Sequence, residues 1–265
     1  MTALRRIWGL MYRHLCLYRR SWPRLVDLAY WPVLQMTIWG FTSVFFASRM
    51  SSGGVATIAV LLGGVLLWET AVRSHLGFAV SFMEEIWSRN LGHLFISPLR
   101  PVELLSALVG ISLLRMILGL LPAAILADVL YHFNILSVGP VLALFAANLM
   151  MMGWWISLGC ISLILSQGAG AESLVWGLMF GISPFAAVYY PVAILPHWLQ
   201  WIALSLPAAH VFEGMRAAML HGVIAWNQLA WAFALNLIWL AAASALFSHQ
   251  FQAARRNGSL MTLGE

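Results

Sequence analysis

Residues 28–48, LAYWPVLQMTIWGFTSVFFAS, decide the fold, because this stretch contains no charged residue. A helix that crosses the hydrocarbon core of a bilayer needs about 20 predominantly apolar residues. The segment meets that requirement and is longer than a typical buried apolar stretch of a soluble domain. It therefore predicts a transmembrane helix, and the same criterion applies to the rest of the chain.

The overall composition indicates a membrane protein as well. Apolar residues make up 62% of the 265 residues, and charged residues make up only 9%. Soluble domains contain about 45–50% apolar and about 25% charged residues. Because so few polar side chains cannot cover the surface of a soluble protein, we predict an integral membrane protein. Soluble enzymes and nucleic-acid-binding proteins are excluded on this ground, although a net charge of +5 by itself would be compatible with binding nucleic acid.

Six segments satisfy the length criterion, which predicts an all-α membrane protein with a single transmembrane domain over residues 1–265. The second segment contains Glu69 and Arg73, and the third contains Arg115. The predicted spans are residues 28–48, 55–82, 102–127, 141–165, 172–187 and 229–247.

An amphipathic helix is predicted before the first span, over residues 3–22, and Trp22-Pro23 is expected to end it. Its apolar side chains recur every three or four residues, with arginines on the opposite face. Such a helix lies in the membrane interface. The apolar face consists of Leu4, Ile7, Trp8, Met11, Leu15 and Tyr18, and the basic face of Arg5, Arg6, Arg13 and Arg20.

The segment between the last two spans, residues 188–226, is too apolar for a solvated loop and too rich in proline for a regular span. It contains Tyr190, Pro191 and Pro196, followed by Glu213 and Arg216 one helical turn apart. We predict a re-entrant or interfacial hairpin, which is tolerated where protein buries the backbone. The Glu213–Arg216 pair is expected to stabilise it.

The arginines predict the orientation, because cytoplasmic loops are enriched in positive charge. With the N-terminus inside, ten arginines lie on the cytoplasmic side and only Arg49 and Arg216 lie outside. Both termini are therefore predicted to be cytoplasmic and the hairpin external. The ten are Arg5, Arg6, Arg13, Arg19, Arg20, Arg24, Arg89, Arg100, Arg255 and Arg256.

The cytoplasmic loop between the second and third spans, EEIWSRNLGHLFISPLRP at residues 84–101, combines charges with an amphipathic turn or two. A short amphipathic helix held between two membrane helices is suited to docking a soluble partner. An interfacial loop helix without a partner explains the same spacing, and the spacing alone leaves both interpretations open.

Several motifs occur in order along essentially the whole chain: Arg89-Asn90, SPLRP at residues 97–101, YPVAILP at residues 190–196, Leu206-Pro207 and H-x-x-E-x-x-R at residues 210–216. In this combination they resemble the permease subunits of type-2 ABC transporters. This family includes exporters of O-antigen, capsule and lipo-oligosaccharide and some drug exporters. One departure is Leu206-Pro207, where the family often has Asn-Pro.

The resemblance implies a function for three segments. Residues 84–97 would be the coupling helix that contacts an ATP-binding subunit, residues 3–22 an interfacial gate helix, and residues 188–222 the external helices that close the exit. The expected contacts with the ATPase are Glu84, Glu85, Trp87, Arg89, Asn90 and Leu94.

The resemblance further implies a bacterial inner-membrane exporter in which two permeases, expected to be identical, flank the path and two ATPase subunits bind ATP and Mg²⁺. The sequence contains no lysine, and a P-loop requires one, so no ATPase site is expected in this chain. With no H-E-x-x-H or G-x-S-x-G motif, we predict no catalytic residue, metal site or cofactor of its own. Membrane lipids are expected partners; nucleic acid is not.

The charged residues inside the spans allow two interpretations. Glu69 and Arg73 are four residues apart in the order that favours a helical ion pair, and Arg115 is expected at a similar depth. Such charges are costly in a bilayer and are usually paired. They would form either a polar latch that rearranges during transport or a static arrangement, in which the ion pair holds the second and third spans together or the arginines extend to the lipid headgroups.

An ATPase-independent channel or secondary transporter is the alternative, and inverted repeats or broken midplane helices would be expected of the latter. The sequence does not specify the substrate. A lipid-linked glycan, a lipid and a hydrophobic small molecule remain equally open.

Overall fold

A computed structural model describes residues 2–49, 54–91 and 99–257, the side chains of residues 54–57 and 169 excepted. Within these residues the protein consists of α-helices and short 3₁₀ turns without a strand, as the sequence predicts. The α-helices are α1 (Ala3–Arg19), α2 (Trp22–Arg49), α3 (Gly54–Trp87), α4 (Pro101–Tyr131), α5 (Val141–Gln167), α6 (Ser173–Ile182), α7 (His197–Leu204), α8 (Pro207–His221) and α9 (Trp226–Arg256).

Three of the described helices, α4, α5 and α9, are both long enough and apolar enough to cross a membrane. They contain 31, 27 and 31 residues, against the about 20 that the hydrocarbon core requires. The helices α2 and α3 have 28 and 34 residues, so their length also exceeds that requirement. The full six-span arrangement remains a prediction.

The fifth predicted span differs most from the expectation of residues 172–187. Helix α6 comprises only ten residues, Ser173–Ile182, or about 15 Å at 1.5 Å of rise per residue. The chain then turns, because the ring of Pro184 disfavours continuation of the helix and its nitrogen cannot donate. At Ala187 the backbone adopts a positive φ of 55°, which a regular helix does not allow.

Helix α3 occupies the centre of the fold and packs against α2, α4 and α5. Gly153 of α5 lies so close to α3 that a Cβ there would approach the Ala71 carbonyl oxygen to 2.7 Å. Likewise, Gly77 of α3 lies against the backbone of Ser112 in α4. Small residues that permit such close approach are typical of helix contacts in membranes.

Buried polar side chains also join the helices. His75 of α3 donates from Nε2 to the carbonyl oxygen of Val175 in α6 at 2.8 Å, and its Nδ1 lies 2.9 Å from Ser157 Oγ of α5. Asn236 of α9 donates to the carbonyl oxygen of Asn148 in α5 at 2.9 Å. Hydrogen bonds of this kind between membrane helices contribute about 0.6 to 2 kcal/mol each.

Candidate functional site

Three acidic residues lie where α3 ends and α4 begins, and α1 packs across them. Glu84 and Glu85 belong to the last turn of α3, and Glu103 lies in the first turn of α4. The first residues of the predicted coupling helix are thus a continuation of α3 rather than a separate helix. A turn follows at Ser88 and Arg89; residues 92–98, including the predicted contact Leu94, lie outside the described residues.

Glu85 is the most buried of the three acids, with 1% of its surface exposed. Its Oε2 accepts hydrogen bonds from Arg13 Nη1 at 2.8 Å and from Asn90 Nδ2 at 2.6 Å. His14 Nε2 lies 3.3 Å from the other carboxylate oxygen. The structure therefore turns Glu85 and Asn90 toward each other and toward α1, and leaves little of Glu85 at the surface.

Glu84 connects α1 with α2 and α4. Its Oε1 accepts from Arg24 Nη1 at 3.3 Å and from Arg115 Nη2 at 3.4 Å. His14 Nδ1 lies 3.4 Å from Oε2. The guanidinium group of Arg115 also lies over the ring of Tyr18, with its central carbon 4.8 Å from the ring centroid, a cation–π geometry.

Glu103 joins α4 to α1 through Arg6. It accepts from Arg6 Nε at 2.9 Å and from its own helix N-cap, the backbone N–H of Arg100, at 3.0 Å. Two arginines of the predicted basic face of α1, Arg6 and Arg13, therefore each donate to an acid of α4 or α3. The exposed residues of α1 include the large apolar side chains Leu4, Trp8, Tyr12 and Leu17 and the basic Arg5 and Arg19.

His14 is the central residue of this arrangement, which we call the α1 anchor (Arg6, Arg13, His14, Glu84, Glu85 and Glu103). Only 2% of His14 is exposed. Burial by itself lowers the pKa of its imidazole, but the carboxylates of Glu84 and Glu85 outweigh that effect and hold the pKa above the usual 6.5. The proton on His14 thus strengthens the contact between α1 and the end of α3.

Beside the anchor, two predicted ATPase contacts are exposed. Trp87, 53% exposed, donates from Nε1 to the carboxylate of Glu172 at 3.2 Å, which links the end of α3 to the start of α6. Arg89 follows in a turn with a positive φ of 53°. We call this exposed corner, residues 87–90, the docking turn.

The structure divides the predicted intramembrane latch into two parts. Arg73 Nε donates to Glu69 Oε2 at 3.2 Å, and both side chains are buried. Arg115 does not join this pair; it donates to Ser81 Oγ at 2.9 Å and reaches Glu84. Ser81 is eight residues beyond Arg73, or about 12 Å further along α3.

Arg73 and Arg115 nevertheless line one cleft of about 210 Å³ between α2, α3, α4 and α6. Its walls are largely apolar, with Trp31, Trp68 and Trp176 among them. No group of His, Cys, Asp or Glu residues suited to a metal ion is found in the part of the chain that the structure describes.

The predicted hairpin folds into a short helix, α7, and a largely buried one, α8. Arg216 of α8 donates from Nη1 to the carbonyl oxygen of Ala187 at 2.9 Å and from Nη2 to Glu213 Oε1 at 3.0 Å. Glu213 accepts in turn from the backbone N–H of Val192 at 2.8 Å. The Glu213–Arg216 pair thus satisfies backbone groups of the irregular segment before α7.

The prolines and tyrosine of the hairpin motif have local structural tasks. Pro191 and Pro196 stand at the N-caps of the 3₁₀ turn Val192–Ile194 and of α7. Tyr190 donates its hydroxyl to the carbonyl oxygen of Pro184.

Sequence reasoning missed His14 and Glu103. His14 lies between the two faces predicted for α1, and Glu103 lies inside the predicted third span, residues 102–127. A signal for Glu103 was present, because an acid in the first turn after a proline is typical of a helix start.

No protein-family model matches the chain. Among curated proteins, the chain is similar to "ABC transporter G family member 20" of Dictyostelium discoideum, with 30% identity over 165 residues. The match covers 61% of this chain but only 22% of that protein. This distant similarity, with the apolar helices, supports a membrane protein with a role in transport.

Proposed function

We propose that the chain is the membrane permease subunit of an ATP-binding-cassette exporter. The observation on which the proposal rests is that α1, α3 and α4 are joined by the α1 anchor directly beside the exposed docking turn. In this proposal, separate ATPase subunits bind ATP and Mg²⁺ and contact Trp87 and Arg89, and two copies of the chain flank the transport path.

The mechanism follows from the length and rigidity of α3. This helix has 34 residues, or about 51 Å at 1.5 Å per residue, and its last turn belongs to the anchor. A displacement of the docking turn therefore moves α3 and, through three ion-paired acids, α1 and α4 as well. The interfacial helix α1 would shift with the ATPase and open the path to a lipid-linked glycan, a lipid or a hydrophobic small molecule.

The proposed topology has both termini in the cytoplasm of a bacterium, six spans in the inner membrane over residues 1–265, and the 188–226 hairpin outside. The arginine distribution supports this orientation. The hairpin would close the external end of the path, with Glu213 and Arg216 fixing the irregular backbone of residues 187–192.

The test is native mass spectrometry of the complex purified in mild detergent from its own cells. We expect two permeases with two ATP-binding subunits, and loss of the ATPase from a Trp87→Ala/Arg89→Ala variant. A matched control removes the same residue types on the side proposed to be external, as Trp198→Ala in α7 with Arg49→Ala at the end of α2, where both residues are also exposed. This control should keep the ATPase.

The second candidate is a channel or secondary transporter that works without an ATPase. The similarity to a named ABC transporter favours the exporter over this alternative. A purified complex with no ATP-binding subunit, under conditions in which other ABC transporters of the same cells remain intact, would reject the exporter proposal and support the alternative.

A further inference from the structure

We propose that the cleft between α2, α3, α4 and α6 binds the headgroup of a zwitterionic aminophospholipid, with the phosphate on Arg73 and Arg115 and the ammonium group on Asp27. This inference goes beyond transport by naming a ligand and its site. The inference rests on the proposed function only in assuming that the chain lies in a membrane. The experiment that tests it does not require the ATPase.

The first observation is an unsatisfied donor in the cleft. Arg115 is only 7% exposed, and its Nε–H has no acceptor within the described residues. The side chain cannot simply turn to find one, because Nη1 donates to Ser81 Oγ and Gly77 O and Nη2 reaches Glu84. A buried donor without an acceptor is costly, so this position favours a ligand that supplies an oxygen atom.

The second observation is a neighbouring arginine with open donors. Arg73 lines the same cleft and donates only from Nε, to Glu69. Its two terminal amino groups make no hydrogen bond in the described part of the chain. Gly119, one turn along α4 from Arg115, lets Arg73 pack close to α4 and α2, because a Cβ there would lie 3.3 Å from Arg73 Cδ and 2.7 Å from the Leu28 carbonyl oxygen.

Asp27 supplies the opposite charge. It precedes Leu28, lines the cleft, is exposed, and has no hydrogen bond or ion pair among the described residues. The cleft is lined by two acids, Asp27 and Glu69, and two arginines, Arg73 and Arg115, so its formal net charge is zero, as a zwitterion requires. Glu69 accepts from Arg73, whereas Asp27 has no such partner among the described residues. A phosphate with an attached amine satisfies both arginines and Asp27, whereas a headgroup that is only anionic leaves Asp27 without a counterion.

The size and walls of the cleft indicate a lipid rather than a free phosphate compound. Pockets for drug-sized molecules measure about 300–1,000 Å³, so about 210 Å³ is suited to a headgroup and not to a whole amphiphile. Trp176 and Phe180 line the cleft and are 49% and 70% exposed. Acyl chains that leave the cleft along α6 would cover them.

The experiment compares three lipids with identical acyl chains on the purified full chain in nonionic detergent, with bound lipid counted by native mass spectrometry. The lipids are phosphatidylethanolamine, phosphatidylglycerol and diacylglycerol. We expect phosphatidylethanolamine to bind at least about tenfold more tightly than diacylglycerol, since hydrogen bonds to charged groups are among the stronger ones. Equal binding of these two lipids would refute the site.

Two double variants test whether the guanidinium groups of the cleft bind the phosphate. Arg73→Lys/Arg115→Lys keeps both positive charges but removes the Nε donor and the planar group, and should reduce phosphatidylethanolamine binding to the diacylglycerol level. Arg255→Lys/Arg256→Lys, at the exposed end of α9, is the matched control and should bind like the wild type. If the first variant does not fold, the wild-type comparison of the three lipids decides alone.

Asp27→Asn tests the ammonium contact, and the expected result is the loss of any preference for phosphatidylethanolamine over phosphatidylglycerol. A wild-type preference for phosphatidylglycerol would overturn the assignment of a zwitterionic ligand. Soluble phosphoethanolamine serves as a competitor. If it displaces the lipid at comparable concentrations, the apolar walls contribute nothing and the lipid assignment is wrong. Failure of the exporter proposal would instead appear as a missing ATPase, with lipid binding unchanged.

Discussion

The α1 anchor makes a quantitative prediction for Glu85→Gln. The change preserves the shape of the side chain but removes the charge that accepts from Arg13 and Asn90 and faces His14. The amide oxygen of the glutamine can still accept a hydrogen bond, but its amide NH₂ group then faces another hydrogen-bond donor. We expect α1 to separate from the end of α3 far more often than in the wild type.

The magnitude follows from the burial of each contact. The side chain of Arg13 is 41% exposed, so its ion pair contributes less than about 1 kcal/mol. His14 and Glu85 are both buried, the hydrogen bond from Asn90 to Glu85 is partly buried, and hydrogen bonds to a charged group contribute about 1.5–3 kcal/mol. A net loss of about 2–3 kcal/mol raises the detached fraction of α1 by about 30- to 150-fold.

Hydrogen–deuterium exchange in lipid nanodiscs measures this change. Amides of α1 should exchange faster by about that factor, while those of α5, which lies away from the anchor, should not change. Glu172→Gln is the control, because Glu172 accepts from Trp87 but lies outside the anchor. The explanation is refuted if α1 in Glu85→Gln exchanges within about threefold of the wild type in a protein that is otherwise folded.

Two further predictions concern pH and the hairpin. Because the pKa of His14 is raised in the folded protein, the contribution of its proton to α1 docking is complete below pH 6.5 and is lost as the pH rises through the raised value. Hydrogen–deuterium exchange of the α1 amides, corrected for the intrinsic effect of pH on exchange, should therefore become faster over that pH interval. An exchange rate that does not change with pH would contradict the role of His14. Arg216→Gln leaves the Ala187 carbonyl without its donor, at a cost of about 1–3 kcal/mol. The thermal midpoint in detergent should fall by several degrees, whereas the exposed control Arg255→Gln should leave it unchanged.

Much of this protein was predictable because the determining physics is local. A charge-free stretch at residues 28–48 and 62% apolar residues require helices, since a backbone in a bilayer must satisfy its own hydrogen bonds. The bonds within Glu69–Arg73 and Glu213–Arg216 follow from their spacing of four and three residues, because such residues share one face of a helix.

The length of α6 and the end of α1 were less predictable. Hydropathy continues through residues 183–187, and only the backbone restriction at Pro184 shows that the helix stops at Ile182. The first helix ends at Arg19 rather than near Trp22, because Pro23 is accommodated in the first turn of α2, where its missing N–H costs no hydrogen bond.

The amino-acid sequence by itself determined the helical class, the membrane as solvent and the ion pairs within single helices. Only the tertiary structure decided which distant charges meet. Arg6 donates to Glu103 across 97 residues of chain, and Arg13 donates to Glu85 across 72. Arg115 donates to Glu84 and not to the acid of the Glu69–Arg73 pair. The physical reason is that each arginine is long and flexible enough to reach several acids, so its partner depends on how the helices pack around α3 and not on spacing along the chain.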